Sequence, residues 1–282
     1  MNLTNYHSHC TYCDGRGTIE EFIQSAIEQG YTSYGLTSHA PLPFKTKWNM
    51  DIEDLEAYLQ ECKELKEMYA SQIDFLYGLE IDYLNSEHHP ANSFFSTLEL
   101  DYRIGSVHLL QLDDGEVIDI DASADHFRGL VDNHFNGELE EIIHRYYTAM
   151  LTLIDLGGFD ILGHCDKISK NASDYHKGIC ESSFYKNLIR DYFEQIAAQE
   201  VLVEINTKSF VRSGHFFPNI ENFGLLRELE IPVTVNSDAH DLHAIHAGRK
   251  EALQGLYKAG YETVMELENK KWIEQPIHSL YR

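Results

Sequence analysis

The sequence predicts an α/β barrel of seven parallel strands, a distorted (β/α)7 form that is one strand short of the eight-stranded TIM-like barrel. Short apolar runs alternate with amphipathic stretches along almost the whole chain, and short connections join them. No low-complexity linker or break in composition divides the chain, which favours one domain over residues 1–282. The alternative is an open doubly wound sheet, but the Gly-rich phosphate loop typical of that fold is missing.

The elements follow from the spacing of the apolar residues. Strands are predicted over 3–9, 33–39, 73–82, 102–110, 159–166, 201–207 and 232–240. Helices are predicted over 18–30, 51–71, 123–133, 138–156, 182–199, 223–230 and 243–259. Two β-like runs on either side of Asp113-Asp114-Gly115 predict a hairpin, because Asp-Gly suits a tight primed turn. The segment 262–277 predicts an edge strand and a charged turn.

The chain is strongly acidic, with 22 Lys and Arg against 46 Asp and Glu and a formal net charge of −24. Nucleic acids and anionic membranes bind basic patches, so we expect neither as a partner. A phosphate substrate would need a local positive site instead, such as bound metal. A hydrophobic share of 43% and an aromatic share of 12% are enough for a folded core.

The first residues, MNLTNYHSHC, lack the basic and apolar regions of a secretory signal, and no apolar run is long enough to span a membrane. We therefore expect a cytoplasmic protein with reduced cysteines. The five cysteines are odd in number and scattered. Cys10 and Cys13 form a CxxC, which is typical of a zinc ribbon or a redox pair, but no second pair follows.

Histidines and acidic residues stand at the carboxyl ends of the predicted strands. They are His7 and His9 in the first strand, His39 in the second, Glu80 in the third, His108 in the fourth, His164 in the fifth, and Asp238 and His240 in the seventh. In a parallel barrel these ends share the face that carries the active site. Residues i and i+2 of a strand point to the same side, so the HxH pair and the DxH pair can each converge on one point. Asp14, shortly after the first strand, is a further candidate.

Each of these residues also has a plain structural interpretation. An HxH pair is often exposed, Glu80 could cap a helix, and Asp14 belongs to an Asp-Gly turn. The set as a whole favours a metal cluster over a polar barrel mouth, because imidazoles and carboxylates inside apolar runs are costly unless a partner satisfies them. These ligand types suit Zn, Mn, Fe or Co, and their number suits two or three ions with Glu80 as a bridge.

Three basic residues of the predicted loops are candidates for binding phosphate. Arg212 follows the sixth strand, and its forked donors match a phosphate group. Lys208 lies close to it in the sequence, and Arg16 lies in the first loop. The alternative for each is an ordinary solvated charge.

The motifs YHSHCTYCDG, TSHAP, YGLEID, IGSVH, LGHCD and NSDAH, in this order, resemble those of the polymerase-and-histidinol-phosphatase (PHP) family of metal-dependent phosphoesterases. They extend over nearly the whole chain. The chain length, the TSHAPLPF loop and the IGSVH segment resemble the stand-alone histidinol-phosphatases of this family, which are enzymes of histidine biosynthesis. The resemblance implies a distorted seven-stranded barrel with a trinuclear metal site.

Carried over by motif, the resemblance assigns ligands to three ions. The first ion would take His7, His9, Glu80 and Asp238, the second Asp14, His39 and His240, and the third Glu80, His108 and His164. Many family members have histidine at the position of Asp14. A carboxylate there favours a harder ion, such as Mn or Fe.

The implied reaction is hydrolysis of L-histidinol phosphate to L-histidinol and phosphate by attack of a metal-bound hydroxide. Glu80 is a catalytic candidate as the bridging ligand, and Asp238, His240 or a bound water would protonate the leaving alkoxide. Acidic residues at the barrel mouth, Asp82 among them, would attract the ammonium and imidazole groups of this substrate. The alternatives are a PHP phosphoesterase acting on nucleoside phosphates or nucleic acid, and a non-catalytic metal-binding accessory protein.

Overall fold

A computed structural model of the chain describes residues 3–277 as alternating strands and helices. The strands, in chain order, are β1 (Thr4–Asn5), β2 (Ser33–Leu36), β3 (Asp74–Asp82), β4 (Tyr102–Ser106), β5 (Leu109–Gln111), β6 (Val117–Asp119), β7 (Ile161–Leu162), β8 (Val203–Asn206), β9 (Val233–Asn236), β10 (Thr263–Glu268) and β11 (Lys271–Pro276). The α-helices are α1 (Ile19–Glu28), α2 (Leu55–Tyr69), α3 (Ser93–Ser96), α4 (Ala124–His134), α5 (Leu139–Leu156), α6 (Ile168–Tyr175), α7 (Ser183–Ala198), α8 (Phe210–Ser213), α9 (Phe223–Glu228) and α10 (Arg249–Lys258).

Seven parallel strands form the main sheet, in the order β1-β2-β3-β4-β7-β8-β9. A parallel bridge between Ser8 and Ala239 joins the segments that follow the first and the last of these strands. Across this junction the N–H of His9 donates to the carbonyl oxygen of Ala239 at 2.8 Å. The sheet is therefore nearly closed, which confirms the predicted (β/α)7 barrel and disagrees with the open doubly wound sheet.

The predicted strand 102–110 is interrupted after Ser106. The N–H of His108 donates to Asp82 Oδ1 at 2.8 Å, so it is not available to a neighbouring strand. The chain then leaves the barrel, and β5 pairs antiparallel with β6. This pair confirms the predicted hairpin, and the break places His108 in an irregular segment at the end of β4.

Other boundaries also differ from the prediction. β1 and β7 contain two residues each, so the polar motifs after them lie in loops rather than in regular strand. The sequence pattern does not predict α6. The last predicted helix, 243–259, is α-helical only from Arg249, because the preceding Gly248 has a φ of 70°, outside the range of a right-handed helix.

The inward row of β4 shows how the barrel interior changes along its axis. Residues two apart on a strand face the same side, so Tyr102, Ile104 and Ser106 lie in one row. Ser106 Oγ donates to Glu80 Oε1 at 2.7 Å at the carboxyl end. At the amino end the interior is an apolar cluster of Tyr6, Leu76, Tyr102, Ile104, Ile161, Leu202 and Leu267. The interior is thus apolar at one end and polar at the other.

The hairpin β10–β11 packs against this apolar cluster. The segment 262–277 is therefore an antiparallel pair rather than one edge strand, and Asn269 and Lys270 form its turn with φ values of 50° and 62°. The N–H of Leu267 donates to the Tyr6 hydroxyl oxygen at 2.8 Å. Trp272 meets the Tyr6 ring edge-on, with ring centroids 5.3 Å apart. The hairpin covers the amino end of the barrel.

Two larger apolar clusters bury the inner faces of the helices. In α1 the predicted apolar residues Ile19, Phe22 and Ile23 are fully buried. Thr18 and Glu21 form a capping box that starts this helix, which supplies partners for two backbone N–H groups that have none within the helix. The helical layer therefore fixes the positions of the strands from outside.

No helix within residues 3–277 combines the length and the apolar composition needed to cross a membrane. The predicted single domain extends to residues 1–2 and 278–282, which lie outside the described residues, and it stays a prediction.

Candidate metal centre

Glu80 lies at the centre of a histidine cluster at the carboxyl end of the barrel. It is fully buried in β3. Its Oε2 lies 3.2 Å from Nε2 of His7 and 3.0 Å from Nδ1 of His39. Its Oε1 lies 2.8 Å from Nε2 of His164 and 3.6 Å from Nε2 of His108. One carboxylate therefore connects imidazoles that follow four different strands.

Asp238 and Asp14 extend the cluster on the side of His9. Asp238 Oδ1 lies 3.1 Å from Nε2 of His9 and 3.3 Å from Nδ1 of His240. Asp14 Oδ1 lies 3.2 Å from Nε2 of His240 and 3.9 Å from Nε2 of His39. The structure thus brings together every residue that the sequence analysis names as a metal ligand.

The backbone is constrained where two of these residues stand. Asp238 has a φ of 48° and His164 a φ of 21°, values that L-amino acids adopt at a cost and that are concentrated at functional sites. A Cβ at Gly163 would lie 2.5 Å from Ser106 Oγ, so only glycine allows this close approach before His164.

Several buried atoms of the cluster lack a hydrogen-bond partner within the described chain. They are His7 Nε2, His9 Nε2, His39 Nδ1, Glu80 Oε2 and Asp14 Oδ1. Buried polar atoms without partners are rare in native proteins, and a cation would satisfy these atoms together. Imidazole and carboxylate ligands suit Zn, Mn, Fe or Co. The residues present therefore fit divalent metal ions.

The ligand atoms form three overlapping groups. Within each group the atoms lie within 4.8 Å of one another, and the groups are His9 with Asp14, His39 and His240; His7 with His9 and Glu80; and His39 with Glu80 and His108. They overlap in part with the three ligand sets that the resemblance implies. His9 and His39 each belong to two groups, which indicates closely spaced positions that share side chains, whereas Asp238 and His164, which the resemblance also assigns as ligands, belong to none of the three groups.

Two carboxylates support histidines of the cluster from behind. Glu204 Oε1 lies 2.7 Å from Nδ1 of His7, and Asp82 Oδ1 lies 3.0 Å from Nδ1 of His108. A proton on Nδ1, shared with the carboxylate, leaves the Nε2 lone pair directed toward the centre. Asp82 is thus buried behind His108 rather than placed at the mouth, where the sequence analysis expects it to contact substrate.

Glu204 is the functional residue that the sequence analysis missed most clearly. It is fully buried in β8, accepts a hydrogen bond from the backbone N–H of His164 at 3.0 Å, and also accepts from the side chains of Asn206 and Asn236. The available signal was a lone carboxylate inside the apolar run VLVEIN, which is costly unless it is satisfied.

Charges within the cluster control its pKa values. Burial alone would raise the pKa of Glu80, but the His7 imidazolium and its neighbours hold that pKa well below its ordinary value. Burial is also outweighed at Asp238, whose pKa is held well below its usual range by Lys208 and His7. Burial alone would lower the pKa of His7, but the carboxylates of Glu204 and Glu80 raise it well above 6.5.

The histidines differ from one another in the same way. Burial lowers the pKa of His9 well below its ordinary value, and the charges of His240 and His39 lower it further. Burial alone would also lower the pKa of His108, but the carboxylates of Asp82 and Glu80 outweigh burial and raise this pKa to about 9. Carboxylate contacts therefore raise the pKa of some imidazoles of the cluster, whereas burial and neighbouring histidines lower that of others.

Of the three predicted phosphate-binding residues, Lys208 contacts the cluster. Its Nζ lies 3.3 Å from Asp238 Oδ1 and 3.2 Å from Nε2 of His240. Arg16 and Arg212 are exposed, and within residues 3–277 neither side chain makes an ion pair or hydrogen bond with the cluster. Their contact with phosphate stays a prediction.

The CxxC cysteines are both free thiols. Cys13 Sγ lies 3.5 Å from Nδ1 of His9 and 3.5 Å from the carbonyl oxygen of Cys10. Burial raises the pKa of Cys13 to about 12, so it remains a thiol at neutral pH. Its position supports His9 and does not resemble a zinc ribbon.

A model of the PHP domain matches residues 5–208. The chain belongs to the PHP family. The matched segment holds every cluster residue except Asp238 and His240, which the structure brings to the same site.

Curated relatives of this PHP chain include histidinol-phosphatases. The histidinol-phosphatase of Bacillus subtilis is 26% identical over 257 residues, which cover 85% of this chain and 94% of that protein. A Schizosaccharomyces pombe protein named "Probable histidinol-phosphatase" is 26% identical over 276 residues, which cover 93% of this chain and 88% of that protein.

Two solved structures share the fold. The HisK crystal structure from Listeria monocytogenes has a TM-score of 0.76 at 23% identity and covers 86% of this chain and 97% of that chain. The histidinol phosphate phosphatase of Lactococcus lactis, complexed with zinc, L-histidinol and phosphate, has a TM-score of 0.70 at 19% identity and covers 96% of this chain and 98% of that chain. These similarities establish the shared barrel.

Proposed function

We propose that this protein is a metal-dependent phosphomonoesterase that hydrolyses L-histidinol phosphate to L-histidinol and phosphate. The observation that carries the proposal is the buried cluster around Glu80 at the carboxyl end of a PHP barrel, in which several nitrogen and oxygen atoms, Glu80 Oε2 and His7 Nε2 among them, converge without hydrogen-bond partners in the described chain. The choice of substrate is supported by the Bacillus subtilis relative and by the L-histidinol and phosphate in the Lactococcus lactis structure.

We assign two or three divalent ions, of Zn, Mn, Fe or Co, to the cluster. The residues that would hold them are His7, His9, Asp14, His39, Glu80, His108, His164, Asp238 and His240. Bound there, the ions would lower the pKa of a water nucleophile and neutralise charge on the phosphoryl oxygens. The zinc in the Lactococcus lactis structure supports this assignment.

The chain's own residues would orient the ligands and move the proton. Glu204 and Asp82 fix the tautomers of His7 and His108. Asp238 is the proposed proton carrier, because its lowered pKa keeps the side chain a carboxylate, which can accept the proton of the attacking water. The same carboxyl group then returns that proton to the leaving alkoxide. His240, whose side chain is 18% exposed, would contact the substrate at the mouth.

The substrate is tested by phosphate release from L-histidinol phosphate beside sugar phosphates, nucleoside monophosphates and a phosphodiester. We expect the largest kcat/KM for L-histidinol phosphate. Equal or higher kcat/KM for a nucleotide would contradict the substrate and favour another PHP phosphoesterase. The acidic chain, with a net charge of −24, also argues for a small-molecule substrate over nucleic acid. The cytoplasmic location stays a prediction.

The metal centre is tested separately with His7→Ala and Asp238→Ala. Both residues lie in the cluster around Glu80, so we expect each variant to lose bound metal and activity together. Full activity and unchanged metal content in either variant would overturn the proposed site.

A further inference from the structure

Lys167 is a buried lysine close to the metal cluster that the sequence analysis did not select. It follows β7 and is 4% exposed. Its backbone N–H donates to the His164 carbonyl oxygen at 2.9 Å and lies 3.1 Å from the Tyr146 hydroxyl oxygen. The start of its side chain is therefore held in place beside a proposed metal ligand.

The Lys167 ammonium has a defined environment. Its Nζ lies 3.3 Å from Asp121 Oδ2 and 4.9 Å from the centroid of the Phe217 ring. Burial alone would lower the pKa of Lys167, but Asp121, Asp238 and Glu80 raise it, so the ammonium is charged at neutral pH. Lys167 stands three residues after His164 in the segment that follows β7, so this charge lies on the barrel face that carries the cluster.

The hydrogen-bonding capacity of this ammonium is not used up. A lysine ammonium carries three N–H donors, and Asp121 forms one ion pair with this ammonium through its Oδ2. The Phe217 ring stabilises the cation but is not a conventional acceptor. Within residues 3–277 no other side chain or carbonyl pairs with Lys167 Nζ. The largely buried ammonium therefore has N–H donors that a ligand could accept from.

We propose that Lys167 binds the phosphate group of the substrate and that Asp121 is the positioning residue that holds its ammonium at the barrel mouth. This inference rests on the proposed function, and it adds a cation that comes from the chain rather than from metal. An ammonium donating to phosphate oxygens makes charge-assisted hydrogen bonds, which are stronger than neutral ones. The exposed Arg16 and Arg212 offer no comparable buried cation.

Lys167→Met tests the proposal, because it keeps the length of the side chain and removes the charge. The matched control is Lys170→Met, in the helix α6 that begins directly after Lys167, which removes a lysine that pairs with Asp174 at 2.6 Å. Binding of inorganic phosphate to the metal-loaded proteins is measured by calorimetry, and bound metal by elemental analysis. We expect Lys167→Met to weaken phosphate binding roughly 10- to 100-fold with unchanged metal content, and Lys170→Met to change it less than about twofold.

The double variant Lys167→Met/Asp121→Asn separates ligand binding from a structural role. Removing both partners avoids leaving Asp121 unpaired, so the fold is retained if the single variant unfolds. We expect phosphate binding to stay weak in the double variant. Recovery of wild-type phosphate affinity would show that Lys167 only neutralises Asp121, and would overturn the proposal. So would wild-type phosphate affinity in folded, metal-loaded Lys167→Met.

These measurements are independent of the substrate assignment. Phosphate binding does not require turnover, so failure of the wild-type protein to hydrolyse L-histidinol phosphate contradicts the proposed function alone. In an active enzyme, Lys167→Met should raise KM for phosphate monoesters, and Lys167→Arg should restore it in part because the charge is retained.

Discussion

A buried glutamate lies at each end of the barrel, and the two glutamates have pKa values shifted in opposite directions. In the hairpin at the amino end, Glu266 accepts from Thr4 Oγ1 at 3.1 Å and lies 3.6 Å from Arg249, and burial raises its pKa. At the carboxyl end, Glu80 is surrounded by imidazoles, its pKa is lowered, and its Oε2 has no hydrogen-bond partner in the described chain. At the amino end the chain itself supplies a cation, Arg249, beside the glutamate, whereas the atoms at the carboxyl end fit a cation from outside the chain.

The largest expected effect comes from replacing these two glutamates in turn. Glu80→Gln removes the charge at the centre of the cluster, so bound metal should fall and kcat/KM should drop by more than the 10- to 100-fold typical of changes behind a metal ligand. Elemental analysis and a phosphate-release assay measure the two quantities.

Glu266→Gln is the matched control at the other end. It should keep wild-type metal content and kcat/KM while lowering the free energy of unfolding, because Arg249 loses a charged neighbour. Equal losses of metal in the two variants would contradict the assignment of metal binding to the carboxyl end alone.

Glu204→Gln should have the next largest effect, because it weakens the contact that orients His7 from behind. We expect metal affinity to fall roughly 10- to 100-fold. Competition with a metal chelator measures the affinity, again beside Glu266→Gln. An unchanged dissociation constant would mean that Glu204 serves the fold and not the metal centre.

Metal binding at the carboxyl end of the barrel should depend on pH. The folded pKa of His108 is about 9, above its ordinary value of 6.5, so a proton must leave His108 when an ion binds below pH 9. Metal affinity should therefore rise with pH, by up to about tenfold per unit for each proton released. Chelator competition at a series of pH values tests this.

Asp82→Asn provides the control for the pH series. It removes the neighbour that contributes most to raising the pKa of His108, so the rise in affinity should become shallower. The same slope in both proteins would refute the assignment of this proton to His108.

The smallest expected effect belongs to the amino end. Tyr6→Phe removes the acceptor for the buried N–H of Leu267, which should lower the free energy of unfolding by about 1–3 kcal/mol. Metal affinity and kcat/KM of the folded variant should match the wild type. Denaturant unfolding and the phosphate-release assay check both, and a loss of metal at constant stability would argue that the two ends are coupled.

Much of the barrel was predictable because its signals are local. Apolar spacing predicts α1 and the strands β2 and β3, and Asp-Gly predicts the turn between β5 and β6. The short strands β1 and β7 were not predictable in length, because contacts with distant residues end them. The amino-end hairpin was missed as a pair because Lys270 in a left-handed conformation is not a typical turn signal.

The candidate site divides in the same way. The sequence motifs at the strand ends include His7, His9 and Asp238, so these residues could be predicted. A parallel barrel brings such strand ends together. Glu204 and Lys167 carry no motif. Their importance depends on burial and on contacts with residues such as His7 and Asp121, which only the folded chain reveals.

The bridge between Ser8 and Ala239 has a consequence for how the protein is made. A ribosome releases the HxH segment well before the NSDAH segment, so a nascent chain holds imidazoles long before it holds Asp238. Ions that meet such a chain find only part of their coordination sphere. The proposed centre can therefore be completed only after the NSDAH segment has been made and has met the HxH segment across the bridge.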